Sequence, residues 1–253
     1  MSSDKHFKYS PSVIIYPLLI LFSIWLVFWF QVRVDSGIKN YGIHPQKVEG
    51  LLGIITSPFL HGDINHIYHN SIPLFVLSLA LFYFYRRIAW KVLLFSVLIT
   101  GLLTWLIADK GNHIGASGVV YALVSFIFFK GVMAKHFRLI AVSLLVIFLY
   151  GSMIWYVFPI KDGMSWEGHL SGLLTGLIFA VIFRNNIAKP ERYLWEKPSY
   201  NEKDDPFMKH FDEDGNFIEN LEPEIELEDE SASKLEGQKR NTNINYIYKS
   251  KDD

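Results

Sequence analysis

The sequence predicts an all-α membrane protein built as a bundle of six transmembrane helices. Three observations carry that prediction. Hydrophobic residues make up 51% of the 253-residue chain. They gather in six stretches, residues 13–32, 66–85, 90–108, 115–134, 138–158 and 168–186, each near the roughly 20 mostly apolar residues that cross a bilayer. Charged side chains fall almost entirely between and beyond these stretches.

Residues 1–12 form a short polar segment before the first span. That span follows Lys5 and Lys8, is long for the apolar region of a signal peptide, and is followed by "QVRVDS", which lacks a small-residue cleavage pattern. A retained helix is expected. Residues 33–65 form a long first loop with an apolar run, "GLLGIITSPFL". A loop of that length is expected to be folded, and its composition to embed it partly in the membrane interface. Residues 188–253 hold Pro190, Pro198, Pro206 and the run "EPEIELEDE", an acidic composition expected to stay mostly disordered. Its "DEDGNF" fails as a calcium loop, because counting from Asp212 puts Phe217 where glycine is required.

Lys5, Lys8, Arg86, Arg87, Lys91, Lys130, Lys135, Arg138, Arg184, Lys189 and Arg192 fall on one side of the predicted bundle. Arg33, Lys39, Lys47, Lys110 and Lys161 fall on the other. The richer side is expected to be cytoplasmic, with both termini on it and the first loop outside. The nearly balanced net charge of -1 argues against a nucleic-acid partner. The absence of cysteine removes thiol nucleophiles, disulfides and thiolate metal sites.

The second and sixth stretches are the least hydrophobic, and each carries histidine at its outer end. Such groups face protein or a water-filled cavity, because exposing them to lipid is costly. In the second, His66 and Asn70 stand four apart and share a helix face. In the sixth, His169 shares its face with Gly172 and Gly176, and a glycine stripe lets another helix approach closely. On the same outer side the fourth stretch begins "GASG", Gly115 to Gly118. Small-residue packing and helix capping account for a serine in that setting. Packing against the His169 face offers another use for Ser117, a hydroxyl activated by an imidazole. His66, the Asn70 amide and the Ser117 backbone N–H would then supply oxyanion donors, and Tyr121, one turn on, would orient the imidazole. His61 and His69 raise a zinc reading, but no "HExxH" is present, so neither metal nor cofactor is expected. Asp63, Asp109, Asp162 and Glu167 read as loop residues, which favours a dyad over a Ser-His-Asp triad.

Together, "HxxxN" at His66 and Asn70, "GxSG" at Gly115 to Gly118, and "GHxxGxxxG" from Gly168 to Gly176 resemble the rhomboid intramembrane serine proteases. The resemblance covers about residues 10–187. It implies a multi-pass protein of a bacterial inner membrane that cleaves the transmembrane helices of single-pass substrates near the extracytoplasmic face. Ser117 would be the nucleophile and His169 the general base and acid. His66 and Asn70 would support the oxyanion, Tyr121 would lie beneath His169, and His61 would sit near the site entrance. The fifth helix, with Trp155 and Phe158 at its outer end, is a candidate gate. The first loop departs from the family pattern, carrying "YGIHPQKVEG" where many bacterial members have a Trp-Arg pair. The rival reading is a non-proteolytic membrane protein, a chaperone or a histidine-lined transporter. Oligomeric state is left open.

Overall fold

In the computed structural model, the residues described are 9–34, 37–134, 136–160, 163–185, 193, 195, 198–212 and 214–219. Lys5, Lys8, Lys135, Lys161, Asp162, Lys189, Pro190, Arg192 and the acidic run of the tail lie outside them. The chain divides into two units, Met1–Glu191 and Arg192–Asp253.

Among its described residues, the regular secondary structure of the first unit is helical, apart from one isolated backbone bridge. Helix α1, Ser12–Val34, keeps most of its leucine, isoleucine and aromatic side chains exposed and buries few residues against its neighbours. In the first loop, the four-residue helix α2, Gly53–Thr56, lies among 3-10 turns. Helix α3, Ile64–Phe84, starts at Asp63, whose carboxylate accepts the backbone N–H of His66 at 2.9 Å; this N-cap satisfies a donor that the helix leaves free. Then come α4, Ala89–Ile107, α5, Ser117–Met133, α6, Phe137–Tyr150, and α7, Trp166–Ile182.

Helix α5 is the centre of the bundle. Its nine consecutive residues from Val119 to Ile127 are all buried, as expected for a helix apolar all round and enclosed by others. It packs most closely against α7, where glycines replace side chains. A β-carbon on Gly172 would overlap the Gly118 carbonyl oxygen, and one on Gly176 would overlap that of Ala122. At the other end of the pair, the wholly buried Lys130 of α5 donates to the carbonyl of Phe183, the C-cap of α7. That places a cation donor at the negative end of the helix dipole.

Among the described residues, four helical stretches, Ser12–Val34, Ile64–Phe84, Ala89–Ile107 and Phe137–Val157, are long and apolar enough to cross a membrane. Helices α5 and α7 are shorter than the spans expected for them, at 17 residues each. The fourth expected span began at Gly115, but Gly115 has φ +113° and forms a turn before the helix. The fifth tightens from α-helix to 3-10 geometry over Gly151–Val157.

The first loop is compact. Ile43 and His113 exchange backbone hydrogen bonds at 2.9 Å each way, and Gly115 donates to the Ser57 carbonyl at 2.8 Å. Trp105 Nε1 donates to the Lys47 carbonyl at 2.9 Å. Val48, Leu51, Leu52 and Ile55 remain exposed on its outer surface. In the second unit, the described residues form two 3-10 turns, Glu202–Asp204 and Met208–His210. In the turn that follows, the Asp212 carboxylate accepts from Asp214 N, Asn216 N and Asn216 Nδ2.

Candidate active site

Ser117 is the first residue of α5, and no side chain caps the helix there. The first N–H groups of a helix lack partners within it, so this end points uncapped donors, backed by the helix dipole, at whatever lies beside Ser117. A cavity of about 40 Å³ opens against Ser117, lined also by Thr100, Thr104, His113, Ser165 and Gly168. That space holds at least one water molecule.

His169 lies in the first turn of α7, whose N-cap Ser165 accepts the Gly168 N–H at 3.2 Å. Its Nε2 is 3.0 Å from Ser117 Oγ, and its Nδ1 is 2.9 Å from the carbonyl oxygen of Tyr156. A carbonyl only accepts, so the proton of neutral His169 belongs on Nδ1. Nε2 is then left as the acceptor for the serine O–H, the orientation a general base requires. Tyr121 stacks on the imidazole with ring centroids 4.3 Å apart and 11° between planes, and its hydroxyl donates to the Met153 carbonyl at 2.7 Å. Both carbonyls belong to the 3-10 segment that ends α6. The group behind the imidazole is therefore a peptide carbonyl rather than a carboxylate.

On the other side of Gly115 stand His66 and Asn70. His66 Nδ1 accepts the Gly62 N–H at 3.3 Å, which leaves the proton on Nε2 and makes that nitrogen a donor. A β-carbon on Gly115 would lie 2.6 Å from His66 Nε2 and 3.4 Å from Asn70 Nδ2. The glycine thus serves two needs, a positive φ and an approach that no side chain permits. Asn70 Nδ2 is buried without a hydrogen-bond partner.

The residues singled out in sequence therefore meet. Ser117, His169 and Tyr121 are in contact, His66 and Asn70 adjoin Gly115, and Gly118, Gly172 and Gly176 form the α5–α7 seam. His69 stands apart, its Nδ1 on the Asn65 carbonyl at 2.6 Å. Two expectations are corrected. Glu167 lies in the first turn of α7, not in a loop. His61 is wholly buried instead of sitting at an entrance. Its backbone is clamped by Gln31 of α1, which donates to its carbonyl at 2.5 Å and accepts its N–H at 3.3 Å. Its ring meets that of His66 edge-on at 5.1 Å.

Burial, and then the nearby His66, push His61 down from 6.5 to about 4. The unfolded chain takes up that proton near pH 6.5 while the folded chain resists until about 4, so stability falls as pH drops through this window and is unaffected above it. Thermal inactivation in detergent should therefore steepen between these pH values, and His61→Phe should flatten the dependence. An unchanged slope in that variant would assign the acid sensitivity elsewhere.

Sequence reasoning missed Gln31, Ser165, the contact of His113 with Ser165, and the carbonyls of Met153 and Tyr156. Carbonyls leave no trace in a sequence. The Gln31–His61 and His113–Ser165 contacts reach across 30 and 52 positions, where no local pattern marks them.

Fold and site together define an integral membrane protein of packed helices with a serine hydroxyl and an imidazole hydrogen-bonded at the heads of its two central helices. The family model described as Rhomboid domain matches residues 48–186. Relatives from Mycobacterium tuberculosis and Mycobacterium bovis, each described as an uncharacterized protein, are 35% identical over 179 residues, covering 67% of this chain and 72% of theirs. One from Mycobacterium leprae, described likewise, is 30% identical over 185 residues, 67% of this chain and 69% of its own. The chain belongs to the rhomboid family.

Proposed function

We propose that this protein is an intramembrane serine endopeptidase that cleaves the transmembrane helices of single-pass proteins near the extracytoplasmic face. The observation that carries the reading is the 3.0 Å contact between His169 Nε2 and Ser117 Oγ, with the far side of the imidazole held by a carbonyl and its face covered by Tyr121. The reading includes six spans, α1 and α3 to α7 with the 3-10 end of α6, a bacterial inner membrane, and both termini in the cytoplasm.

Ser117 attacks the substrate carbonyl as its proton passes to His169 Nε2. The positive charge that forms on the imidazole is stabilised by the Tyr156 carbonyl and the Tyr121 face. Negative charge grows on the substrate oxygen, for which the Ser117 N–H, His66 Nε2–H and Asn70 Nδ2–H serve as donors. His169 then hands its proton to the leaving amine. Water from the cavity beside Ser117 hydrolyses the acyl-enzyme, with His169 again as base. A helical substrate has its carbonyls engaged, so segments that unwind readily, with glycine or proline near the outer end, are preferred. Substrate enters past the outer end of α6, where Trp155 and Phe158 are exposed.

The test is cleavage of a model single-span substrate by purified protein in liposomes. Metal-dependent transport that persists in Ser117→Ala, with no cleavage by the parent, would favour a non-proteolytic role. Asn70→Ala should lower kcat roughly 10²–10³-fold with little change in KM, as for loss of one oxyanion donor. An equal rise in KM instead would make Asn70 a substrate-binding residue.

A further inference from the structure

We infer that His113 is a positioning residue for the base, clamping the first turn of α7 to the first loop. The inference rests on the proposed role of His169 and adds a residue that the motifs do not contain.

His113 stands where three parts of the chain converge. Its backbone exchanges hydrogen bonds with Ile43 of the first loop, at 2.9 Å in each direction. Its Nε2 lies 3.1 Å from the Lys110 carbonyl, and its Nδ1 lies 2.6 Å from Ser165 Oγ. The carbonyl can only accept, so the proton is on Nε2. Nδ1 is then an acceptor and the Ser165 hydroxyl its donor. Ser165 Oγ in turn accepts the Gly168 N–H at 3.2 Å, and the Ser165 carbonyl accepts the His169 N–H at 3.2 Å.

The result is one directed chain, from Gly168 N–H to the Ser165 hydroxyl, to His113 Nδ1, and from Nε2–H to Lys110. Each bond polarises the next. The N-cap hydroxyl is thus held in the rotamer that caps α7, and the helix turn carrying His169 is tied to a loop whose position the Ile43 bridge and the Gly115–Ser57 bond determine. Burial holds His113 below the ordinary histidine value, against the opposing pull of Glu167. That direction favours the neutral ring that its acceptor role requires. Its contacts separate the two nitrogens: Asn at 113 reproduces an acceptor near Nδ1, whereas Gln reaches only toward Nε2.

The experiment uses the full chain in liposomes with His113→Asn, His113→Gln and His113→Ala. It reads kcat and KM on a single-span substrate, the rate at which a fluorophosphonate labels Ser117, and amide hydrogen exchange at Gly168 and His169. His113→Ala and His113→Gln should lower kcat and labelling roughly tenfold with KM unchanged, as for a base displaced by a fraction of an ångström. They should also speed exchange in that turn. His113→Asn should restore most of the rate and protection. Gln matching or exceeding Asn, or unaltered exchange in His113→Ala, would overturn the clamp. If the parent protein neither cleaves nor is labelled at Ser117, the protease reading fails. The clamp is then decided by the exchange data alone, where protection in Asn but not Gln supports it and equal exchange in all three refutes it.

Discussion

Replacing Ser117 by alanine should lower cleavage of a single-span substrate by roughly 10⁴–10⁶-fold, with substrate still bound and the protein still folded. The hydroxyl is the hydrogen-bond partner of His169 Nε2 at 3.0 Å, and its loss leaves no alternative attacking atom in that position. His169→Ala should cost about as much, because an unassisted serine hydroxyl is a weak nucleophile. The sharper expectation concerns the double variant. Groups that act as one unit are grossly non-additive, so Ser117→Ala combined with His169→Ala should cleave no more slowly than either alone. Multiplying losses would mean that the two residues act independently, and the dyad would have to be abandoned. Labelling of the parent by a fluorophosphonate, abolished in both single variants, separates a lost nucleophile from lost substrate entry.

Gly172→Val and Gly176→Val should be among the most damaging changes that touch neither reacting group. At each position the added carbon meets backbone, the Gly118 or the Ala122 carbonyl oxygen, and backbone on a central helix cannot rotate aside as a side chain does. Overpacking of this kind typically costs about 1–3 kcal/mol. A clash of the added β-carbon against backbone belongs at the upper end. Forcing α5 from α7 also separates Ser117 from His169, so activity should be lost even at temperatures where the variant stays folded. Gly151→Ala is the matched control, because its β-carbon would meet only Ile147 at 3.8–4.0 Å, ordinary contact. Near-parental activity in Gly172→Val, measured beside thermal inactivation, would show that the seam yields and that the helices are positioned by other contacts.

Much of this site is legible in sequence because helical periodicity carries it. His66 with Asn70, and His169 with Gly172 and Gly176, repeat at the spacing of one helix face, and the small residues around Ser117 mark a close approach. What periodicity does not carry is any contact made through the backbone or through loops. Five of the seven residues of "GSMIWYV" are apolar, so the hydrophobic stretch runs on from the helix before it, and only Gly151 hints that the geometry tightens there. Yet that tightened segment supplies the carbonyls for both His169 and Tyr121. The resemblance implies a place for His61 near the site entrance, whereas Gln31, thirty residues earlier, draws its backbone inside.

The shortness of α5 and α7 has a consequence for the surrounding lipid. Seventeen residues at about 1.5 Å each span roughly 25 Å, against a hydrocarbon core of roughly 30 Å. On the six-span reading, the pair that carries Ser117 and His169 is mismatched to the membrane by about one helical turn. With the orientation proposed above, the Lys130–Phe183 contact closes the cytoplasmic end of that pair and the serine stands at its outer end. Under the proposed function, the depth of the scissile bond then depends on the difference between protein and bilayer thickness. Lipid chain length becomes a variable of the reaction, because a thicker membrane buries the same serine deeper and a thinner one brings it closer to water.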